Sequence, residues 1–308
     1  MGNFRFTVPE SRRVRFILNT DAGCECDDQY AIAYALLSQK LDMKAIIAAH
    51  FGELRGPNSM EESYAEICKI VDLMGFTGKV PVIKGAKRSI DKAPDQESAG
   101  ADFIIEEAMR DDPHPLICAF IGPLTDLAIA IKKEPRICGR MSVIWTGGPC
   151  FPDGSWEYNL NNDIDAANCV LLSDVPFSMI NIECYDQMQI SLAELQDRLS
   201  QCGKVGNYLF EQLIEGNYRN CANNSWQATR TQWPMGESWG IVDVSAVALA
   251  LDPLHYNYEW KPAPFYSKDC HIFSERLARP IRFYNAIDPR YAYNDLFAKL
   301  KIVYGDQN

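Results

Sequence analysis

Positive charge is scarce in this sequence. Thirty lysines and arginines face 41 aspartates and glutamates, for a formal net charge of -11. Nucleic acids and anionic membranes select basic surfaces, so neither is an expected partner. A small uncharged ligand remains compatible with this balance. Long apolar runs are missing too, and none approaches the roughly 18 residues that a membrane span needs. Met1-Gly2-Asn3-Phe4-Arg5 leads straight into charged residues without the apolar stretch of a secretion signal. Only four histidines occur, and they are dispersed. The eleven cysteines are scattered through strand and helix patterns, so they read as reduced thiols of a cytoplasmic protein. Cys24 and Cys26 form a C-x-C pair, but no second pair at zinc-ligand spacing follows. There is no Ser/Gly linker, internal repeat or low-complexity segment. With 308 residues and 47% hydrophobic content, the chain reads as a single domain over 1–308.

What is present is alternation. Short apolar runs at 14–18, 45–49, 80–83, 116–121, 141–145 and 177–182 read as strands. Amphipathic stretches at 28–38, 59–74, 99–110, 124–133 and 164–172 read as the helices between them, the second opened by a Ser59/Glu62 capping pattern. Strands apolar on both faces, each followed by a helix, predict an α/β fold with a mainly parallel central sheet flanked by helices. Beyond Ser191 the pattern becomes a helical and short-strand elaboration, with helices at 204–218, 242–251 and 291–302. Open sheets of this kind bind ligands beyond the carboxyl ends of their strands. The residues just after each strand are therefore the candidates: 21–28, 50–58, 122–123, 147–159 and Glu183.

The first of these loops, Asn19-Thr20-Asp21-Ala22-Gly23-Cys24-Glu25-Cys26-Asp27-Asp28, holds four acidic groups in eight residues. Two carboxylates about 4 Å apart repel by about 4 kcal/mol at an effective dielectric near 20. A hard divalent cation removes that cost, and all-oxygen ligation suits Ca²⁺ or Mg²⁺. Helix capping by Asp27 or Asp28 is the other reading of the loop by itself.

Later segments make the chain resemble the inosine–uridine-preferring nucleoside hydrolase family. That family opens with an Asp-Thr-Asp-x-Gly-x-Asp-Asp loop, matched here from Asn19 to Asp28 with two extra residues. Ile121-Gly122-Pro123-Leu124-Thr125-Asp126-Leu127-Ala128 is similar to its Gly-Pro-Leu-Thr-Asn-Leu-Ala segment, with Asp126 in place of Asn. Trp145-Thr146-Gly147-Gly148, Glu157-Tyr158-Asn159, Asp163-Ile164-Asp165-Ala166-Ala167 and Asp243 follow in order. The resemblance implies that Asp21, Asp28 and Asp243 bind Ca²⁺ by side chain and Ile121 by its carbonyl. It also implies that Asp21 is the general base for the attacking water, and that Asp27, Glu157 and Asn159 hold ribose hydroxyls. The reaction expected is hydrolysis of a ribonucleoside N-glycosidic bond. A homodimer or homotetramer is implied as well.

Departures from the pattern gather at the leaving-group end. The residue before the late aspartate, often His in the family, is Val242. The expected asparagines after the second strand and before Glu157 are absent. His50 is then the candidate proton donor or sugar contact. Trp156, Tyr158, Trp226, Trp233 and Trp239 are candidates for stacking on a base. Hydrolysis of another ribosyl or pentosyl compound, or non-catalytic ribose binding, stays open beside nucleoside hydrolysis.

Overall fold

The computed structural model describes residues 4–53, 56–222, 237–273 and 278–305, and of 217–222 the backbone alone. The strands are β1 (Val14–Thr20), β2 (Leu41–Ala48), β3 (Val82–Lys84), β4 (Leu116–Phe120), β5 (Ser142–Thr146) and β6 (Phe177–Ile180), then short β7 (Gln189–Ser191) and β8 (Ser238–Gly240). The late region adds β9 (Tyr258–Pro262), β10 (Phe265–Tyr266), β11 (Ile272–Phe273) and β12 (Pro280–Tyr284). Eight of them make one sheet in the order β3-β2-β1-β4-β5-β6-β12-β9. Every pairing is parallel except β12 with β9.

The strand periodicity explains the two layers. Along β1, Phe16 and Leu18 enter one core and Ile17 the other, because successive side chains alternate. The first core takes α1 (Asp28–Leu37), α2 (Ser59–Leu73), α9 (Gly203–Ala222), α10 (Val244–Leu251) and α11 (Pro289–Tyr304). The second takes α3 (Ala99–Met109), α4 (Thr125–Lys133) and α6 (Ile164–Leu171). Between these come short α5 (Tyr158–Asn162) and α7 (Ile182–Tyr185), then α8 (Leu192–Leu199). No described helix is long and apolar enough to cross a membrane.

Two local expectations need correction. The sixth apolar run is not one strand, because β6 stops at Ile180 and α7 begins at Ile182 with Asn181 as its cap residue. The capping pattern at Ser59 is not used either. Asn58 is the cap residue, no side chain caps α2, and Ser59 already lies inside the helix with its carbonyl bonded by Ser63 Oγ at 3.1 Å.

The strand order reverses at β1, whose neighbours are β2 on one side and β4 on the other. Helices leave that point in opposite directions and open a crevice at the carboxyl ends. Asp21 follows β1 there and Ile121 follows β4.

Candidate active site

The loop from Thr20 to Asp28 joins the carboxyl end of β1 to α1, and its aspartates are buried. Asp21, Asp27 and Asp28 are each at most 3% exposed, and Asp243 is 5% exposed. Asp27 and Asp243 are the cap residues of α1 and α10, yet neither side chain makes a cap hydrogen bond. Simple helix capping is therefore not what these carboxylates do. Asp27 Oδ2 instead accepts from the Val242 backbone N–H at 3.1 Å, tying the first loop to the start of α10. Asp28 Oδ1 accepts from Thr20 Oγ1 at 2.5 Å. One carboxylate oxygen from each of Asp27, Asp28 and Asp243 lies within 4.8 Å of the others. Asp21 stands beside them against Gly122, where an added Cβ would come within 2.8 Å of its Oδ1. Only glycine allows that approach.

Burial drives the electrostatics. It pushes the Asp27 and Asp28 carboxyls up to about 7, the charge of Asp28 adding to the effect on Asp27. Asp21 and Asp243 are likewise raised by burial and then by neighbouring carboxylates, Asp28 foremost for Asp21 and Asp27 for Asp243. The described residues lining the 530 Å³ cavity in front of them also include Glu25 and Asp186, and no Lys, Arg or His. Buried like charges without a counter-ion are costly. Three carboxylates brought this close, with Asp21 beside them, are all hard oxygen donors and fit a divalent cation of the Ca²⁺ or Mg²⁺ type. Cys24 and Cys26 are buried thiols outside this group, so no zinc-type set forms among the described residues.

The opposite wall comes from the strand ends of β4 and β5. Asn159 donates both amide hydrogens to backbone, at 3.2 Å to the Ile121 carbonyl and 2.9 Å to that of Thr146. Its side-chain oxygen is the acceptor left for a ligand. Glu157 is engaged differently from expectation. It is 1% exposed and accepts from the backbone N–H groups of Gly148 (2.9 Å), Leu160 (2.9 Å) and Asn159 (3.2 Å) and from Tyr185 Oη (3.0 Å). A carboxylate has about four acceptor positions, so these donors fill it. Gly148, at φ +97°, lets the chain present that N–H. Glu157 thus caps α5 and fixes the wall.

Trp156, Tyr158 and Trp239 line the cavity, with the Trp156 and Tyr158 rings edge-on at 5.9 Å. Cys24 Sγ donates to Tyr158 Oη at 3.0 Å, and that hydroxyl donates to the Phe51 carbonyl at 3.1 Å. Trp226 and Trp233 lie outside the described residues. The sequence reading passed over Thr146, Tyr185, Asp186 and Gln189, which also line the cavity. A signal for them existed, since Thr146 ends β5 and the others follow β6.

His50 is the expected site residue that the fold does not deliver to this cavity. It is 1% exposed and absent from the described lining. Its Nδ1 accepts from Gly52 N–H at 3.2 Å, which leaves the proton on Nε2 to be donated to Thr125 Oγ1 at 2.8 Å. Thr125 passes the chain on to Asp163 Oδ2 at 2.8 Å. Burial lowers the imidazole to about 4, so it is neutral at pH 7. Glu183, another residue after a strand, accepts from Phe151 N–H and Asn181 Nδ2 and does not line the cavity either.

Known proteins share both sequence and architecture with this chain. Non-specific ribonucleoside hydrolase RihC of Escherichia coli is 26% identical over 239 residues, 68% of this chain and 75% of that protein. Among solved structures, a plant nucleoside hydrolase superposes with a TM-score of 0.77 at 17% identity, covering 94% of this chain and 99% of its own. A purine-preferring ribonucleoside hydrolase from Gardnerella vaginalis also gives 0.77, at 21% identity, covering 93% and 98%. These superpositions establish the fold. The sequence profile described as inosine-uridine preferring nucleoside hydrolase matches residues 16–282, so the chain belongs to that family.

Proposed function

We propose that this chain is a Ca²⁺-dependent hydrolase of the N-glycosidic bond of a ribonucleoside. The observation that carries the reading is the convergence of buried Asp27, Asp28 and Asp243 oxygens within 4.8 Å, beside Asp21, in a cavity whose described lining holds no basic side chain. Asp21, Asp28, Asp243 and the Ile121 carbonyl would hold the cation, and Asp27 stands close enough to share in it. When bound, the cation supplies charge neutralisation, acidifies water and orients ribose hydroxyls.

The protein's own groups do the rest. Asp21 accepts the proton of the attacking water, which must approach to about 3 Å. Cleavage passes through an oxocarbenium-like state, and surrounding carboxylates stabilise its positive charge. Asn159 accepts from a ribose hydroxyl through its free oxygen. Glu157 keeps Asn159 and Tyr185 in place. Trp156, Tyr158 and Trp239 shape the end of the cavity where a planar base fits.

A different riboside is favoured by one specific observation. Val242 replaces the usual acid and His50 is held behind the wall, so none of the described histidines reaches the departing group. A leaving group that departs without protonation by His suits this cavity. Reducing-sugar release across nucleosides and other ribosides, with Asp21→Asn as control, tests both readings. Turnover that drops about 100-fold or more in Asp21→Asn is expected. Unchanged turnover would remove Asp21 as the base, and ribose binding without turnover in the wild type would make the chain a binding protein. Calorimetry with Ca²⁺ on wild type and Asp28→Ala tests the cation, and equal binding by both sinks it.

A further inference from the structure

The nitrogen that departs from the ribose needs either a proton or a positive charge of its own, since otherwise it leaves as an anion. A proton would have to come from the end of the cavity beside Val242. β7 and β8 build that end by pairing Gln189 with Gly240. A Cβ on Gly240 would stand 3.2 Å from Val242 Cγ1 and 3.0 Å from Gln189 Nε2, and that amide donates to the Asp186 carbonyl at 3.1 Å. Asp186, Gln189, Trp239 and Val242 are therefore one neighbourhood, and all four line the cavity.

The described donors of the cavity keep their protons. Tyr185 Oη donates to Glu157 Oε1 at 3.0 Å, and burial together with that carboxylate holds its hydroxyl well above the ordinary tyrosine value. Tyr158 Oη donates to the Phe51 carbonyl at 3.1 Å, and Cys24 Sγ donates to Tyr158 Oη at 3.0 Å. The indole of Trp239, the amide of Gln189 and the hydroxyl of Ser238 donate hydrogen bonds but are too weakly acidic to release a proton.

Negative charge, in contrast, is plentiful. Besides Asp21, Asp27, Asp28 and Asp243, the cavity is lined by Glu25 and Asp186, and by no described Lys, Arg or His. Glu25 lies near enough that its charge raises the carboxyls of Asp21, Asp28 and Asp243. A divalent cation offsets two of these charges and leaves a negative excess. An anion departing into that field is repelled, whereas a cation entering it is attracted. Trp156, Tyr158 and Trp239 add aromatic surface, which favours a flat cation over a flat neutral ring.

We propose that this site prefers cationic ribonucleosides, in which the ribose is carried on a positively charged ring nitrogen, as in an N-ribosylpyridinium. The proposal rests on the ribonucleoside hydrolase reading above. The C1′–N bond breaks with its electron pair passing to the ring, which departs as a neutral heteroarene. Water forms the new C1′–O bond and gives its proton to Asp21. One cation and one water become a neutral base, ribose and a proton, and nothing has to protonate the base. The transition state of such a substrate stays cationic throughout, whereas that of a neutral nucleoside carries no net charge. Glu25 and Asp186 therefore stabilise the first selectively.

Ribose release by the full chain with Ca²⁺ is measured on N-ribosylnicotinamide, inosine and uridine. The value of kcat/KM should be at least about tenfold higher for N-ribosylnicotinamide. Asp186→Asn and Glu25→Gln should each shrink its ratio to inosine by about fivefold or more. Asp186 is exposed and Glu25 half-buried, so neither change threatens the fold. Calorimetry on Asp21→Asn gives a reading independent of bond lability, and there N-ribosylnicotinamide should bind about tenfold tighter than inosine. A preference for inosine or uridine overturns the proposal and leaves the hydrolase reading standing. No release from any of the three overturns both. A cation preference untouched by either variant also overturns it, because the weaker bond then explains the preference. So does a variant that loses inosine more than the cation, since the carboxyl removed would be the acid for a neutral base.

Discussion

Raising the pH from 5 to 8 in the presence of a chelator should destabilise this protein. Burial holds the carboxyls of Asp27 and Asp28 at about 7, against an ordinary value of 3.8. Between those two values the native chain binds more protons than the unfolded one. Stability from this source is complete below the unfolded value and is lost as pH rises through about 7. For one such carboxyl the loss from pH 5 to 8 is about 3 kcal/mol. In a chain of this size that corresponds to a fall in melting temperature of about 5 °C. A cation that neutralises the cluster cancels the effect, since it binds the ionised form. At a hundred times its dissociation constant it adds about 2.7 kcal/mol. The assay is differential scanning calorimetry at both pH values, with chelator and with millimolar Ca²⁺. The increment from Ca²⁺ should be larger at pH 8 than at pH 5, and Asp28→Asn should shrink it. Chelated protein equally stable at both pH values, or a Ca²⁺ increment independent of pH, would refute the reasoning.

Four further outcomes follow from particular contacts. His50→Ala should leave kcat within a few-fold of wild type while lowering stability by about 1–3 kcal/mol, because it strands Thr125 and Gly52 N–H rather than a substrate; urea unfolding and steady-state kinetics check the two halves. Glu157→Gln should cost about 1–3 kcal/mol of stability, since an amide cannot satisfy the four donors that meet this carboxylate. Asn159→Ala should act mainly on KM for ribosides. The fourth concerns Asn19 and Asp126, which exchange the residue types of the family pattern. Asn19 Nδ2 donates to Asp126 Oδ2 at 2.8 Å, and Ala86 N–H and Ser98 Oγ complete that carboxylate at 2.7 and 2.5 Å. Asn19→Asp alone should destabilise by about 2 kcal/mol or more by opposing two buried carboxylates. Adding Asp126→Asn should restore much of it, as read by chemical denaturation.

The sequence by itself determined the layers and the location of the site. Apolar runs separated by amphipathic stretches report burial on both faces, and this is a local property of chain periodicity. Ligand chemistry at the strand ends was legible for the same reason, because Asp21 comes soon after the first apolar run and Ile121 ends the fourth. Charge density in the acidic loop raised a candidate cation site beside helix capping, and the later segments turned the reading toward the cation. Distance along the chain hid the rest. Asp27 meets the Val242 backbone across 215 residues, and only packing of α10 on α1 makes one group of Asp27, Asp28 and Asp243. Side-chain direction was hidden too. His50 follows a strand as Asp21 does, yet Thr125 and Gly52 capture its ring behind the wall. Glu157 looked like a ligand contact, but four converging donors had already filled it. Those outcomes depend on which groups neighbouring segments bring close. Periodicity does not encode that, so the tertiary structure had to decide it.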